Sequence, residues 1–292
     1  MPSLRDIRRR IRSVKNTAQI TRAMQMVAAS RMRRAQEAVE SSRPFSERIR
    51  VVLAGLGEVA PAGEGPLHPL LERRDVRNID LVLMTSDRGL AGGFNANILR
   101  LASNFVLNEA KAPVSILSAG RRGRDWAVRF GRNLTADFSE LGDQPGLDAV
   151  TPISHTVIER FTTGQVDAVY LAYTEYVSTL NQQPRLLQLL PIQPPTAEEE
   201  REAARGPDYI YEPSPVQLLQ ALLPRYVEVQ LYQTLLESKA SEHSARMVAM
   251  RNATDNANEI VDDLGLTYNK LRQATITREI IEIAGGAAAL SG

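Results

Sequence analysis

The sequence contains no cysteine among its 292 residues. A chain without thiols cannot form a disulfide, use a cysteine nucleophile, build a zinc–thiolate site or carry a thiol switch. It also has no apolar run approaching the ~18 residues of a membrane span, and no signal-type apolar run at its N-terminus. We therefore expect a cytoplasmic chain that meets a membrane only through another protein.

Aromatic residues are scarce as well, at 5% of the chain, although hydrophobic residues make up 43% and charged residues 24%. That apolar content is enough for a packed core and argues against wholesale disorder. Scarce aromatics are typical of helical rods rather than of a purely globular chain. The length fits two domains, and a net charge of only +1 predicts no partner by itself.

The C-terminal part carries an unbroken 3-4 repeat, with no proline inside it. A sustained repeat of this kind predicts a long helix that winds round a partner helix. Small and polar residues interrupt the apolar stripe; small ones let two backbones approach closely, and polar ones fix the register. The stripe comprises Tyr226, Val229, Gln233, Leu236, Ala240, His243, Met247, Met250, Thr254, Ala257, Val261, Leu264, Tyr268 and Leu271.

A second 3-4 stripe begins at the N-terminus, where Ser3 is a candidate N-cap with Asp6 three residues on. Ile20, Met24 and Val27 add a second apolar strip, so this helix can face two partners at once. The first 50 residues hold thirteen basic and four acidic side chains, a net of +9. The first stripe comprises Leu4, Ile7, Ile11, Val14, Ala18, Thr21, Gln25, Ala28, Met32, Ala35 and Val39.

Between the stripes the periodicity changes to short apolar runs that alternate with helical patterns. This alternation predicts an α/β domain with a largely parallel sheet. We expect strands at Ile79–Thr85, Val114–Leu117 and Ala168–Tyr173, with Arg185–Leu190 as an edge strand, and helices at Phe94–Ala110, Arg122–Phe130 and Val150–Thr163. The predicted domains are an N-terminal helix over 1–57, an α/β domain over 76–193, a mobile proline-rich loop over 194–215 and a C-terminal helix over 216–292.

The glycine-rich segment Asp87–Gly93 follows a strand and opens a helix, which is the context of a phosphate-binding turn. Its glycine spacing is not the dinucleotide fingerprint, and no Lys-Ser/Thr pair follows, so we favour a simple strand-to-helix turn. His68, His155 and His243 are too far apart to give a metal-ligand spacing. We predict no catalytic residue, no cofactor and no metal, and we expect His243 to be packed rather than catalytic.

Several long motifs resemble the gamma subunit of F-type ATP synthase. They are residues 20–31 (ITRAMQMVAASR), 85–95 (TSDRGLAGGFN), 241–256 (SEHSARMVAMRNATDN) and 268–279 (YNKLRQATITRE), followed by a glycine- and alanine-rich tail. The resemblance spans essentially the whole chain. It implies an antiparallel two-helix coiled coil formed by the chain ends, with an inserted Rossmann-like α/β domain.

The resemblance also implies a function and partners. A gamma subunit is the rotor shaft inside a ring of alpha and beta subunits, and it sits with the epsilon subunit on the membrane ring of c subunits. It performs no chemistry, and it lies peripherally at the cytoplasmic face of the cell membrane. By motif, Met24 matches a methionine near a beta-subunit loop, and Arg246, Gln273 and Thr277 match residues that engage catch loops, with Arg272 as a further candidate. Because Arg246 lies beside the stripe, we expect its side chain to be free for a partner.

Two other functions stay open on the residues alone. The basic N-terminal helix could bind nucleic acid, although the heptads run straight through the arginines instead of leaving a splayed basic region. The α/β domain could belong to a nucleotide-dependent enzyme, although it lacks the phosphate fingerprint.

The ends of the two helices make a further prediction. If Leu56 is level with Pro213 in an antiparallel pair, residue 4 falls opposite about residue 265. The C-terminal helix should continue to about Ala284 and overhang by about 20 residues, roughly 30 Å. The tail of this helix is uncharged and rich in small residues, which suggests that a partner surrounds it with an apolar surface in which the helix can rotate.

Overall fold

The computed structural model describes residues 3–59, 68–193 and 214–291. Two long helices, α1 (Leu4–Val59) and α5 (Pro215–Ser291), precede and follow an α/β region. The strands of that region are β1 (Ile79–Met84), β2 (Val114–Ala119), β3 (Asn133–Asp137), β4 (Ala168–Tyr176) and β5 (Gln182–Leu190). Its helices are α2 (Phe94–Asn104), which continues as a π-helical turn over Phe105–Glu109, α3 (Arg121–Arg129) and α4 (Thr151–Thr162).

The chain forms two compact units, and α1 and α5 contribute to both. The first unit comprises residues 1–28 and 247–292, and the second comprises residues 29–246. Pro44 lies inside α1 without ending it. The predicted loop over 194–215 lies outside the described residues except for its last two positions.

In the first unit the two predicted stripes meet as an antiparallel pair. Within the part of α5 that begins at Met247, the buried side chains are Met250, Thr254 and Ala257, and all three belong to the stripe. On α1, Ile7, Ala18, Thr21 and Ala28 are buried in the same seam. The heptad prediction of a coiled coil with small and polar seam residues is confirmed.

The first turn of α1 is capped as the sequence predicts. The amide of Asp6 donates to Ser3 Oγ at 3.2 Å, and the Ser3 hydroxyl donates to Asp6 Oδ2 at 2.7 Å. The bond from the Ser3 hydroxyl, and a second one that the Ser3 amide donates to Asp6 Oδ2 at 3.4 Å, lower the pKa of the Asp6 carboxyl. A carboxylate at this position also offsets the positive end of the helix dipole.

The register of the pair differs from the prediction. Thr21 contacts Thr254, and Arg8 stacks on Tyr268 with its guanidinium carbon 5.4 Å from the ring centroid. Residue 4 therefore lies near residue 271, not 265. The predicted register was wrong because it was set by placing Leu56 level with Pro213, whereas the side-chain pairs inside the seam fix the register. Since α5 also runs on to Ser291 instead of Ala284, the overhang keeps its predicted length of roughly 30 Å.

The second unit contains a five-stranded sheet in the order β3-β2-β1-β4-β5. The first four strands are parallel, and β5 pairs antiparallel with β4 at the edge. This is the strand order of doubly wound dinucleotide-binding folds, so the predicted Rossmann-like domain and its edge strand are confirmed. The sequence did not predict β3, because its alternating pattern offers only Leu134 and Ala136 to the interior.

Both faces of this sheet are covered by apolar side chains. On one face, α2 and α3 pack against β1, with Leu81, Leu83 and Ile98 fully buried. On the other face, Val82 and Met84 join residues of α4, α1 and α5 in a larger core. The sheet is therefore packed against both helices of the coiled coil within this unit.

Candidate partner-contact surfaces

The second apolar strip on α1 is exposed. Met24 is half-buried, whereas Ile20 and Val27 are 60% and 50% exposed. The helix therefore carries one strip that is buried against α5 and another in which Ile20 and Val27 stay exposed within the described part of its unit. Large apolar side chains grouped on an exposed helix face are typical of a protein contact.

The three candidates near the C-terminus lie on the overhang of α5. Arg272, Gln273 and Thr277 are all exposed, as is every described side chain from Arg272 to Gly285. Gln273 and Thr277 are one turn apart and share a helix face. These side chains are therefore accessible, and their contact with a partner stays a prediction.

Met24 and these C-terminal residues do not form one site. Thr254 lies opposite Thr21, and Thr21 is three residues before Met24. Gln273 lies 19 positions after Thr254 along α5. At 1.5 Å per residue, the two groups are separated by about 30 Å along the coiled coil. The first unit therefore has two separate candidate contact regions along the coiled coil.

Arg246 is engaged within its own unit, so the expectation of a free side chain is wrong. Its side chain is only 11% exposed. Nη2 donates to Glu242 Oε1 at 2.8 Å and to the carbonyl oxygen of Gly89 at 3.2 Å. Nη1 lies 3.3 Å from Nδ1 of His243. Three acceptors thus surround one guanidinium, and a planar fork with five donors suits such an arrangement.

The ion pair between Arg246 and Glu242 belongs to a wider buried group of charges. Lys239 Nζ lies 3.6 Å from Glu242 Oε2, and the side chains of Lys239 and Glu242 are 8% and 6% exposed. Burying such charges is costly unless each has a partner. These charged residues lie beside the heptad stripe, at positions that are exposed to solvent in a two-helix coiled coil. The sequence therefore did not predict that they would be buried.

His243 is completely buried, which confirms that it is packed. Because Arg246 can only donate, Nδ1 of His243 accepts, and the ring proton is on Nε2. Nε2 has no hydrogen-bond partner among the residues that the structure describes and lies 3.9 Å from Oδ1 of Asp143, whose other oxygen binds Arg31 at 2.8 Å. Desolvation is the main cause that lowers the pKa of His243.

A row of serines explains why this flank of α5 is buried. Ser238 Oγ accepts from the amide of Thr174 at 3.2 Å, and the Ser241 hydroxyl donates to the Thr174 carbonyl at 3.1 Å. Ser244 donates to the carbonyl of Thr179 at 2.7 Å. These bonds join α5 to the end of β4 and the turn that follows it. The 3-residue spacing of the serines was the available signal in the sequence.

The glycine-rich segment forms a turn between β1 and α2, as predicted. Asp87 Oδ1 accepts the amide of Arg121 at 3.0 Å, so a carboxylate of the chain itself occupies the N-terminus of α3. The Ser86 hydroxyl donates to the carbonyl of Arg88 at 2.6 Å, and the Ser86 amide donates to Asn95 Oδ1 at 3.1 Å. The turn is therefore held by the side chains that precede and follow it.

Among the residues that the structure describes, no three His, Asp or Glu side chains come together as a metal site. No helix in the same part of the chain is long and apolar enough to cross a membrane.

The fold matches that of a solved ATP synthase central stalk. The chain is similar to the Tetrahymena thermophila mitochondrial ATP synthase central stalk and c-ring structure, with a TM-score of 0.62 and 26% identity over 80% of this chain and 99% of that chain. A rotational state of the Euglena gracilis mitochondrial enzyme shares the fold, with a TM-score of 0.65 and 20% identity over 98% and 94% of the two chains.

The sequence matches the ATP synthase family model over residues 3–290. It is 54% identical to the ATP synthase gamma chain of Roseiflexus castenholzii over 294 residues, covering 100% of this chain and 99% of that one. It is 48% identical to the gamma chain of Chloroflexus aurantiacus, with both chains fully covered. The chain belongs to the ATP synthase gamma-chain family.

Proposed function

We propose that the chain is the central rotor shaft of an F-type, proton-translocating ATP synthase. In this role it couples rotation of the membrane ring of c subunits to ATP synthesis and hydrolysis at the alpha and beta subunits. Its partners are the alpha, beta and epsilon subunits and the c-ring, and it lies peripherally at the cytoplasmic face of the cell membrane, which it meets only through the c-ring. The chain itself is non-catalytic and needs no cofactor.

The observation that carries this proposal is the exposed overhang of α5. A helix that leaves its partner for about 20 residues would be marginal in water by itself. Its last residues, from Ile283 to Gly292, carry no charged side chain. Inside a ring of neighbouring subunits such a surface can turn without breaking fixed ion pairs, and the ring supplies the packing that the isolated helix lacks.

Two groups of residues in the first unit are proposed to transmit force, one at Met24 on α1 and the other on the overhang of α5. Met24 meets a beta-subunit loop, and Arg272, Gln273 and Thr277 engage the catch loops. Such contacts drive the catalytic sites in sequence only if they differ between the conformations of the three beta subunits, because coupling equals a difference in interaction free energy.

The family assignment and the fold give no support to the nucleic-acid-binding and nucleotide-enzyme alternatives. The exposed arginines of α1 lie on the same helix as the buried seam residues Ala18 and Thr21, not on a separate basic segment.

Reconstitution tests the proposal. The purified chain alone should hydrolyse no ATP, and alpha and beta subunits should gain steady ATP hydrolysis when the chain is added. The same subunits without the chain are the control. Substantial turnover by the pure chain, or a complex whose ATP hydrolysis is indifferent to it, would overturn the proposal.

A further inference from the structure

The ring of His243 lies between a cation and a carboxylate inside the second unit. It is completely buried, with Nδ1 3.3 Å from Nη1 of Arg246 and Nε2 3.9 Å from Oδ1 of Asp143. In the neutral ring Nδ1 accepts from Arg246, and the proton on Nε2 has no acceptor within hydrogen-bond distance among the described residues. A buried donor without a partner is uncommon in folded proteins and points to a special role.

A second proton on this ring would reverse the preference of both contacts. It would add to Nδ1, which would then be a donor that faces the donating guanidinium of Arg246, and the two groups would repel each other as like charges. On the other side of the ring, the charged Nε2–H group would attract the Asp143 carboxylate. Closing the gap from 3.9 Å to about 2.8 Å would form a charge-assisted hydrogen bond.

Asp143 lies in the loop over residues 138–146, which joins β3 to α4, and its position allows this approach. Its Oδ2 already binds Arg31 of α1 at 2.8 Å, so Oδ1 remains for the ring, and its side chain is 43% exposed. The preceding residue, Gly142, has a φ of 75°, and no described atom lies within 4 Å of the place where a Cβ would stand. The backbone beside Asp143 is therefore not held by tight packing.

The other charges around the ring belong to α5 itself. Glu242 binds Arg246 at 2.8 Å and lies 3.6 Å from Nζ of Lys239. Burial is the main cause that lowers the pKa of His243; Arg246 and Lys239 also lower it, whereas Glu242 and Asp143 act in the opposite direction. Because Glu242 is already paired with two cations, Asp143 is the carboxylate that can respond when the ring takes up a proton.

We propose that His243 is a pH-sensitive switch in the second unit. The neutral ring accepts from Arg246, whereas the protonated ring donates to Asp143 and draws the loop over residues 138–146 onto α5. Asp143 then joins Arg31 of α1 to His243 of α5, so acid fastens both long helices to the same loop. This inference concerns the chain itself and goes beyond its proposed role as a rotor.

Histidine ring signals in the NMR spectrum of the full chain report the switch directly, because the chain has only three histidines. Spectra of the chain with isotope-labelled histidine are recorded as the pH is lowered from about 7.5 to about 4.5, across the range in which histidine titrates. The variant His243→Gln identifies the signal of this ring, which it removes.

Two substitutions should move the titration midpoint of His243 in opposite directions. Asp143→Asn removes the attracting carboxylate and should lower the midpoint, whereas Arg246→Met removes the repelling cation and should raise it. Each shift should be about one pH unit, as expected for a charge this close to the ring. Arg251→Met, which changes an exposed arginine further along α5, is the control and should leave the midpoint unchanged.

Hydrogen exchange tests the movement of the loop. The wild type and His243→Gln are compared at the same pH, so that the intrinsic pH dependence of exchange cancels. As the pH falls through the midpoint of His243, the amides of residues 138–146 should exchange at least about twofold more slowly in the wild type, relative to the variant. The same comparison made in an Asp143→Asn background should show no such change.

A His243 ring that stays neutral until the chain unfolds would overturn the proposal. So would a midpoint that Asp143→Asn does not lower or that Arg246→Met does not raise, or loop amides whose exchange does not respond to the proton. If Arg246→Met does not fold, Arg31→Met takes its place, because the half-exposed Arg31 competes with the ring for Asp143. Its loss should also raise the midpoint, and an unchanged midpoint would equally contradict the proposal.

Discussion

The hydroxyl oxygens of Thr21 and Thr254 lie 2.7 Å apart in the buried seam between α1 and α5. Each hydroxyl also lies within hydrogen-bond distance of a carbonyl of its own helix, that of Ala18 for Thr21 and that of Met250 for Thr254. A polar pair inside an otherwise small and apolar seam fixes one register against the alternatives.

Replacing both members of this pair should destabilise the chain by less than the sum of the two single replacements. Thr254→Val keeps the shape but removes one hydroxyl, and the loss of a hydrogen bond should cost about 1 kcal/mol in the free energy of unfolding. In the double variant Thr21→Val, Thr254→Val, two methyl groups pack together, and the loss should be smaller than the sum of the single losses. Urea unfolding followed by circular dichroism measures both. Strictly additive losses would show that the hydroxyls do not interact.

The ion pair between Asp80 and Arg160 should be far more sensitive than an exposed pair. Asp80 lies in the central strand with a fully buried side chain, and Arg160 binds both its oxygens, at 2.7 and 3.0 Å. The hydrogen bonding that Arg160 donates to Asp80 is the main cause that raises the pKa of Arg160. Arg160→Met leaves a buried carboxylate unpaired and should cost about 3–5 kcal/mol.

The matched control for that variant is Arg185→Met, which breaks the exposed pair between Arg185 and Glu175 in the same sheet. This change should cost at most about 1 kcal/mol. Equal losses in urea unfolding for the two variants would contradict the account.

His243 should make the chain less stable in mild acid. Its pKa lies below the ordinary value of 6.5 in the folded chain, mainly because burial disfavours the charged ring. At pH values above 6.5 the His243 ring is neutral in both the folded and the unfolded chain, so it does not lower the free energy of unfolding. As the pH falls below 6.5 the unfolded chain takes up the proton first, so stability falls by up to about 1.4 kcal/mol per pH unit.

The measurement is the free energy of unfolding between pH 7.5 and about 5 for the wild type and His243→Asn. The variant should lose less stability over the range below 6.5. His68, whose pKa burial also lowers, contributes equally to both proteins. Parallel curves would show that His243 is not the source of the acid sensitivity.

Truncation should separate the tail of α5 from its contact residues. Deleting residues 288–292 removes only small and apolar residues beyond the exposed contacts, so assembly and coupling should be largely kept. Deletion from Leu271 also removes Arg272, Gln273 and Thr277 and should be much worse. Yield of the complex and proton-coupled ATP synthesis are the readouts. If deleting only the last five residues abolished coupling, the tail would make a specific contact with a neighbouring subunit instead of turning freely inside the ring.

The seam could be predicted from the sequence because a heptad repeat states directly which face of a helix is buried. Thr21, Ala28, Thr254 and Ala257 were placed in the seam by spacing alone, and all are buried. The capping pair Ser3 and Asp6 is equally local. The register could not be predicted, since it depends on which residues meet across the seam.

The surroundings of Arg246 could not be predicted in full, because one of its three acceptors is the backbone carbonyl of Gly89 in a distant segment. A heptad pattern describes a helix with one neighbour, whereas β4 and its following turn cover a second flank of α5 through Ser238, Ser241 and Ser244. For the same reason sequence reasoning assigned Arg246 to the surface. The exposed overhang, by contrast, follows from helix length and needs no knowledge of the central sheet.

Direct observation of rotation tests the proposed role of this chain most sharply. Since the chain has no cysteine, Leu107→Cys would place a single reactive thiol at an exposed position outside the coiled coil, and a visible probe can be attached there. With the alpha and beta subunits fixed to a surface and ATP supplied, the probe should turn in one direction, with three equivalent pauses per revolution. A probe that stays fixed while the same complexes hydrolyse ATP would contradict the account.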